Sequence, residues 1–286
     1  MKNVLIVTNF NAGRKQALKY KKQVIKFVLK HTTQFKFTDI DELKEFDVSP
    51  FDTILVMGGD GTVNRVLPYL VNTDKVLGII PCGTANLLAA NLGLSYNLKN
   101  NLKIIEKGNI KSVDTFSVDE NIVSLRLGFG YDADIICKTP QSLKNKFGYF
   151  AYFIAGILFG WRLKKKNYSL IIDGEEKETE ASCVIIANCP NMYKKMAYLG
   201  NNSKPDDGIL EVFILKTSNP VRYFFEFLGI LLNIRRNNGA AEYLKGTDIV
   251  IKTSWLVGHI DGEKKNFKED IKIGVKPKSL KVFCKN

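Results

Sequence analysis

Short apolar runs and helical stripes alternate along the first third of the chain. Val4–Thr8 (VLIVT), Thr53–Met57 (TILVM) and Val76–Ile80 (VLGII) are unbroken apolar segments of strand length, the pattern of strands covered on both faces. Phe35–Phe37 is a shorter strand of the same region. Arg14–Lys30 sets Leu18, Val24, Ile25, Val28 and Leu29 on one face of a predicted helix, and Val63–Val71 and Thr84–Leu92 read as two more. Strands alternating with helices predict a parallel sheet in an α/β layer. Past about residue 110 the period changes. Strand-like runs now follow one another at Val113–Val118, Ile122–Gly128, Tyr168–Ile172, Ala181–Ala187, Ile209–Leu215, Asp248–Lys252, Trp255–Ile260 and Ile271–Val275. Turn signals such as DG and NN separate several of them, so a mainly antiparallel, sandwich-like β domain is expected. Helical patterns at Ser142–Leu163 and Val221–Arg236 interrupt it. The expected division is an α/β domain over 1–110 and a β-rich domain over 111–278.

Composition adds a bias in partners. Charged residues are 25% of the chain, as in ordinary globular proteins, yet Lys and Arg exceed Asp and Glu to give a formal charge of +13. That balance favours anionic partners. Nucleic acid is not expected as a partner, because the basic residues are spread along the chain without a zinc-finger or basic-aromatic motif. Cys82, Cys137, Cys183, Cys189 and Cys284 include no CxxC pair, and His31 and His259 are the only histidines. Neither a disulfide framework nor a zinc site is expected, and a reducing cytoplasm fits best. The opening MKNVLIVTNF does not read as a signal peptide. The longest uncharged apolar run, Phe147–Trp161, falls short of the ~20 residues of a membrane span. Lys144, Lys146 and Arg162, Lys164, Lys165, Lys166 flank it, which suits either an interfacial helix on anionic lipid or a core helix with solvated ends. Tyr223–Ile234, ending in Arg235 and Arg236, is a second apolar stretch.

The sharpest chemical signal is Gly58-Gly59-Asp60-Gly61-Thr62-Val63-Asn64, directly after a buried strand. Glycines without Cβ let a backbone approach a ligand closely, and N–H groups at the start of a helix favour a phosphate. Asp60 can hold Mg²⁺ through water or orient the chain; a plain capped turn is the alternative. A second strand–turn–helix unit, Pro81-Cys82-Gly83-Thr84-Ala85-Asn86, repeats the arrangement. A third turn, Asn9-Phe10-Asn11-Ala12-Gly13-Arg14, follows the first strand. All three would lie beyond the carboxyl ends of parallel strands, where such sheets bind ligands.

These motifs resemble the diacylglycerol-kinase catalytic family of bacterial lipid kinases, whose relatives include sphingosine and ceramide kinases. Gly58–Asn64 stands as its GGDGTxN motif and Pro81–Asn86 as its P-x-G-T-x-N. Lys144–Gly156, Ser203–Leu210 (SKPDDGIL) and His259–Glu263 (HIDGE) are similar to its later motifs. GGDGT alone is shared with NAD kinases and phosphofructokinases; the later motifs are of the lipid-kinase type. The resemblance implies an NAD-kinase-like nucleotide-binding domain and a β-sandwich-like domain with the active site between them, the last strand, about 279–286, rejoining the first domain.

It further implies ATP held by Asn9, Phe10, Asn11, Ala12, Gly13, Gly58, Gly59, Asp60, Gly61, Thr62, Val63, Asn64 and Thr84, with Thr38 a weaker candidate. The catalytic candidates are Asp60 and, for the general base, Asp261 or Glu263, since a positioned carboxylate can take a proton from a lipid hydroxyl. Lys204, Asp207 and Ile209 match a structural Mg²⁺ site, and Asp114 a carboxylate–water–Mg²⁺ network with Asp60. Three departures stand out. The first turn reads NFNAG where the family has N-P-x-S-G. Leu87 replaces an Asp of that network. Lys194-Lys195 replaces a Gly pair. The expected activity is transfer of the γ-phosphoryl of MgATP to a lipid hydroxyl, that of diacylglycerol first. Sphingoid-base or other lipid kinases and a catalytically weak nucleotide- or lipid-binding regulator are the rivals. The expected partners are a lipid acceptor and an anionic membrane surface at its cytoplasmic face. A homodimer is left open.

Overall fold

The computed structural model describes residues 2–9, 16–140, 142–143, 146, 150–158, 163–188, 191–193, 197–198, 204–232, 234, 239–268 and 270–285. The chain divides into two units, Met1–Val113 with Lys278–Asn286, and Asp114–Pro277.

In the first unit the strands β1 (Asn3–Thr8), β2 (Gln34–Asp39), β3 (Thr53–Gly58) and β4 (Val76–Pro81) stand in the order β2-β1-β3-β4, all parallel. Every residue of β3 and β4 is buried. That is why these segments are continuously apolar rather than alternating. Helices α1 (Gln16–His31), α2 (Asp60–Val66), α3 (Leu87–Asn91) and α4 (Leu98–Lys107) complete the unit. One face of the sheet (Val4, Ile6, Leu55, Met57, Ile80) packs with Ala17, Val24 and Val28 of α1 and Leu98 and Ile105 of α4. The predicted face of α1 is corrected here: Leu18 and Leu29 are exposed and Ala17 takes the inward place. The chain leaves β1 toward β2 on one side and returns to β3 on the other. The order therefore reverses at β1, the switch point beside which open α/β sheets bind ligands.

Strand β5 (Ile110–Val118) leads from the first unit into the second, whose other strands are β6 (Asn121–Val123), β7 (Arg126–Gly130), β8 (Lys166–Ile172), β9 (Glu175–Ala181), β10 (Cys183–Ala187), β11 (Asn191–Tyr193), β12 (Ala197–Tyr198), β13 (Leu210–Leu215), β14 (Ala241–Gly246), β15 (Asp248–Thr253), β16 (Val257–Ile260) and β17 (Glu263–Asn266). The final strand, β18 (Ile271–Phe283), pairs through Ile271–Gly274 with β15 here and through Lys281 and Val282 with β4 of the first unit. One sheet runs β18-β15-β8-β9 and carries the β5–β6 hairpin; the other runs β14-β13-β10-β7-β16-β17 and is antiparallel throughout. Side chains from both fill one core: Phe116, Leu170, Ile249 and Ile273 from the first, Leu127, Phe129, Val184, Ile186 and Val212 from the second. The alternate residues of the second sheet, Cys183, Ile185, Phe213 and Leu215, face α5 (Tyr131–Lys138), α6 (Phe150–Leu158) and α7 (Pro220–Leu232). Both faces of β10 are thus apolar, and its sequence, CVIIA, does not alternate.

Several predicted elements change. Ile122–Gly128 is not one strand, because Ser124 and Leu125 turn between β6 and β7. The helix expected from Thr84 begins at Leu87, and the one expected over Val63–Val71 spans Asp60–Val66. Ile271–Val275 and Leu280–Cys284 belong to one long strand. Helices α4 and α5 and strands β9, β14 and β17 were not anticipated.

Candidate active site

In the first unit the turns after β3 and β4 close on each other through their glycines. A Cβ on Gly83 would lie 2.5 Å from the Cα of Gly59, so the two backbones are in direct contact. Asn86 completes the second turn. It sits at φ 49° and ψ 50°, a left-handed conformation that Asn tolerates. Its Oδ1 accepts the Gly83 N–H at 2.9 Å and its Nδ2 donates to the Gly83 carbonyl at 2.7 Å. Asp60 then crosses from the first turn to the second. Its carboxylate accepts the N–H of Leu87 at 3.0 Å and of Leu88 at 3.2 Å, capping α3 from outside. Burial pushes its carboxyl above the usual range, against the pull of these N–H groups.

The N–H groups of Thr62 and Val63 donate to the Gly59 carbonyl, inside the first turn of α2. Thr62 is buried, Asn64 half-buried and Thr84 exposed. Asn9 donates its N–H to the Met57 carbonyl at 3.3 Å. Thr38, buried at the end of β2, donates to the Asp39 carbonyl. Phe10, Asn11, Ala12 and Gly13 lie outside the described residues, as do Lys194 and Lys195. The two glycine turns carry no Cβ where they meet, at the carboxyl ends of adjacent parallel strands, a form that suits a phosphate chain.

In the second unit the late motifs join through buried side chains. Asp261 and Gly262, at φ 48° and 93°, form the two-residue turn between β16 and β17, with Ile260 opposite Glu263. Positive φ at both central positions is the type I′ hairpin turn that Asp-Gly favours. The Asp261 carboxylate accepts the backbone N–H groups of Ser124 (3.1 Å), Leu125 (3.1 Å) and Arg126 (2.6 Å) and the Ser124 hydroxyl (3.4 Å). Glu263, two residues on, is exposed. Asn188 carries the link onward, donating Nδ2 to the carbonyl of Asp114 at 2.7 Å and, at the limit of range, to that of Ser124 at 3.5 Å. Asp114, buried, accepts the Gly208 N–H at 2.6 Å and donates its own N–H to the Pro205 carbonyl at 2.7 Å. The turn thus held contains Lys204, Asp207 and Ile209. The Asp207 carboxylate is exposed and accepts the N–H groups of Lys204 and Ile209 at 3.0 and 3.2 Å.

Among the described residues no three His, Cys, Asp or Glu side chains gather as a metal cluster. What the turn offers is the exposed Asp207 carboxylate, already accepting two backbone N–H groups; a Mg²⁺ ion keeping several waters could take a single carboxylate of this kind. Asn188 and the buried group formed by Arg126, Asp132 and His259 lay beyond sequence reasoning. Asn86 was legible only as the last letter of a motif.

The diacylglycerol kinase catalytic domain model matches residues 3–118, and the YegS C-terminal NAD kinase beta sandwich-like domain model matches residues 126–284. The chain belongs to the diacylglycerol kinase family. An uncharacterized protein of Synechocystis sp. is 31% identical over 240 residues, 81% of this chain but 54% of that protein, so this chain spans about half the length of that relative. A diacylglycerol kinase of Bacillus subtilis is 26% identical over 276 residues, 92% of this chain and 90% of its own. The crystal structure of a diacylglycerol kinase from Bacillus anthracis shares the fold, with a TM-score of 0.79 over 99% of this chain and 97% of that one at 23% identity. The expected fold class is therefore correct: an α/β domain with a parallel sheet, then an antiparallel β-sandwich-like domain. No helix among the described residues is long and apolar enough to cross a membrane.

Proposed function

We propose that this lipid kinase transfers the γ-phosphoryl group of MgATP to a lipid hydroxyl, with diacylglycerol as acceptor and phosphatidic acid as product. The observation that carries the reading is the division of labour in the Asp-Gly-Glu turn. Asp261 spends its carboxylate on three backbone N–H groups and a hydroxyl, whereas Glu263 leaves the same turn exposed. Glu263 is therefore the general base, taking the proton of the lipid hydroxyl, and Asp261 fixes where it stands. The Gly58–Asn64 and Gly83–Asn86 turns hold the phosphates through their backbone, tied together by Asp60. Mg²⁺ neutralises charge on the phosphates when bound. Leu87 favours a second reading, a sphingoid-base acceptor, because an apolar side chain stands there as it does in sphingosine kinases.

The acceptor is met at an anionic bilayer surface. Helix α7 supports this with Val221, Phe224, Phe225 and Leu232 exposed along one stripe and Arg222 beside them. The flanking lysines singled out in the sequence offer less, since Lys165 pairs with Glu180 and Lys166 lies over the Trp255 ring.

The test is label transfer from γ-labelled ATP with Mg²⁺ to diacylglycerol, sphingosine or ceramide in mixed micelles, with NAD as the soluble control. Label in diacylglycerol, reduced about 10²- to 10⁴-fold in Glu263→Gln, is expected. Label in NAD, or in no lipid while ATP is still bound, overturns the reading.

A further inference from the structure

His259 is fully buried between Asp132 and the turn that carries Glu263. Its Nε2 lies 2.5 Å from Oδ2 of Asp132, and its Nδ1 accepts the backbone N–H of Gly262 at 3.2 Å. These partners decide the tautomer. An N–H faces Nδ1, so the ring proton sits on Nε2 and is donated to the Asp132 carboxylate. Burial holds the His259 ring below its ordinary value of 6.5, against the pull of Asp132, so the neutral form is favoured. Burial acts to raise Asp132, yet the Arg126 guanidinium and His259 hold its carboxyl at about 2. The Arg126 Nη1 lies 3.5 Å from Oδ1 of Asp132.

Arg126 also closes the circuit through its backbone. Its N–H donates to the Asp261 carboxylate at 2.6 Å, and its carbonyl accepts the Asp261 N–H at 2.8 Å. The turn is therefore gripped at both central residues, Asp261 by the β6–β7 segment and Gly262 by His259. Space is reserved for the arrangement: a Cβ on Gly128 would lie 2.3 Å from Oδ2 of Asp132 and 2.4 Å from Nε2 of His259.

We infer that His259 is a positioning residue for Glu263: its Nδ1 holds the Gly262 N–H and so fixes the turn from which Glu263 reaches the acceptor hydroxyl, through a ring anchored by Asp132 and Arg126. The inference rests on the reading of Glu263 as the base. Its physical content is that one bond, to Gly262, serves catalysis, while the other, to Asp132, serves stability.

Two substitutions separate the bonds. In His259→Asn the amide oxygen takes the place of Nδ1 and still accepts the Gly262 N–H, but the shorter side chain no longer reaches Oδ2 of Asp132. In His259→Gln the amide nitrogen reaches Asp132, but no acceptor faces Gly262. The measurements are kcat and KM for ATP in the micelle assay, the melting temperature, and amide hydrogen exchange of the 260–264 segment on the full chain. His259→Gln is expected to lose kcat about tenfold or more with KM for ATP unchanged, and to exchange faster in that segment. His259→Asn is expected to keep kcat within about threefold and the exchange of the native chain, while melting at the lower temperature of the two because the Asp132 oxygen that faced Nε2 is left without a donor and only the longer Arg126 pair remains. If kcat and segment exchange instead follow melting temperature, with His259→Asn the worse in both, the inference is overturned. If the native chain labels no lipid, the kinase reading fails by itself, and the exchange comparison still decides whether His259 holds the turn.

Discussion

Gly83 and Asp261 each do one thing that no other side chain could do in the same place. At Gly83 even a methyl group would meet the Gly59 backbone at 2.5 Å and the Asn86 amide oxygen at 2.8 Å. Neither can swing away without moving a turn. Gly83→Ala should cost about 1–3 kcal/mol and weaken binding of a non-hydrolysable ATP analogue, as calorimetry of the two proteins would show. At Asp261 the loss is of acceptors. Asp261→Ala strands the N–H groups of Ser124, Leu125 and Arg126, and should lower stability by about 2–4 kcal/mol in denaturant titration. Glu263→Gln, at an exposed position, should stay within about 0.5 kcal/mol of the native chain while losing transfer. Equal losses of stability in the two variants would refute the division of roles. In the sequence both carboxylates were equally plausible bases, because a motif gives spacing and not hydrogen-bond partners.

Helix α7 and strand β9 show how far a pattern identifies an element. The Tyr223–Ile234 run was visible as apolar, yet hydrophobicity alone does not say which face is covered. Tyr223 and Ile230 pack against the second sheet of the sandwich, and Val221, Phe224, Phe225 and Leu232 do not. Phe224→Ser with Phe225→Ser should therefore reduce co-sedimentation with phosphatidylglycerol vesicles severalfold and leave the melting temperature nearly unchanged. Unchanged sedimentation would take α7 out of membrane contact. Strand β9, EEKETEA, has no apolar period because it is an edge strand with mostly exposed side chains. It is a strand only because Glu175–Ala181 pair with Lys166–Ile172 of β8.

The whole chain is fastened by its end. Leu280, Val282 and Phe283 of β18 are buried, and the Cys284 N–H donates to the Asn109 carbonyl at 3.1 Å within the first unit. Removing residues after Pro277 takes three such side chains, at about 2 kcal/mol each, from a unit whose whole stability is of similar size. The truncated chain should lose protease resistance in its first 113 residues. The buried His259–Asp132 pair adds a pH dependence. His259 is depressed below 6.5, so its contribution is complete above that pH and fades as pH falls through its folded value. Asp132 adds a second loss between 3.8 and about 2. Asp132 bonds the ring and Arg126 stands on the far side of Asp132; the other charged groups on the elements packed against β16 are Asp134 and Lys138 of α5, paired to each other, and the exposed Glu263, Lys264 and Lys265 of β17. Denaturation midpoints of the native chain should begin to fall below pH 6.5, and those of His259→Gln should not until lower pH.

What the sequence determined by itself is local: the apolar runs that must be covered on both faces, the change of period near residue 110, and the glycine turns that only a close backbone approach requires. These follow from burial and from the missing Cβ, which act over a few residues. What the tertiary structure decided is long-range. Asp60 caps a helix 27 residues away, Asp261 accepts from backbone 135–137 residues away, and His259 reaches Asp132 across 127 residues. A buried polar group must find a partner wherever the fold places one, and a single sequence carries no record of that placement.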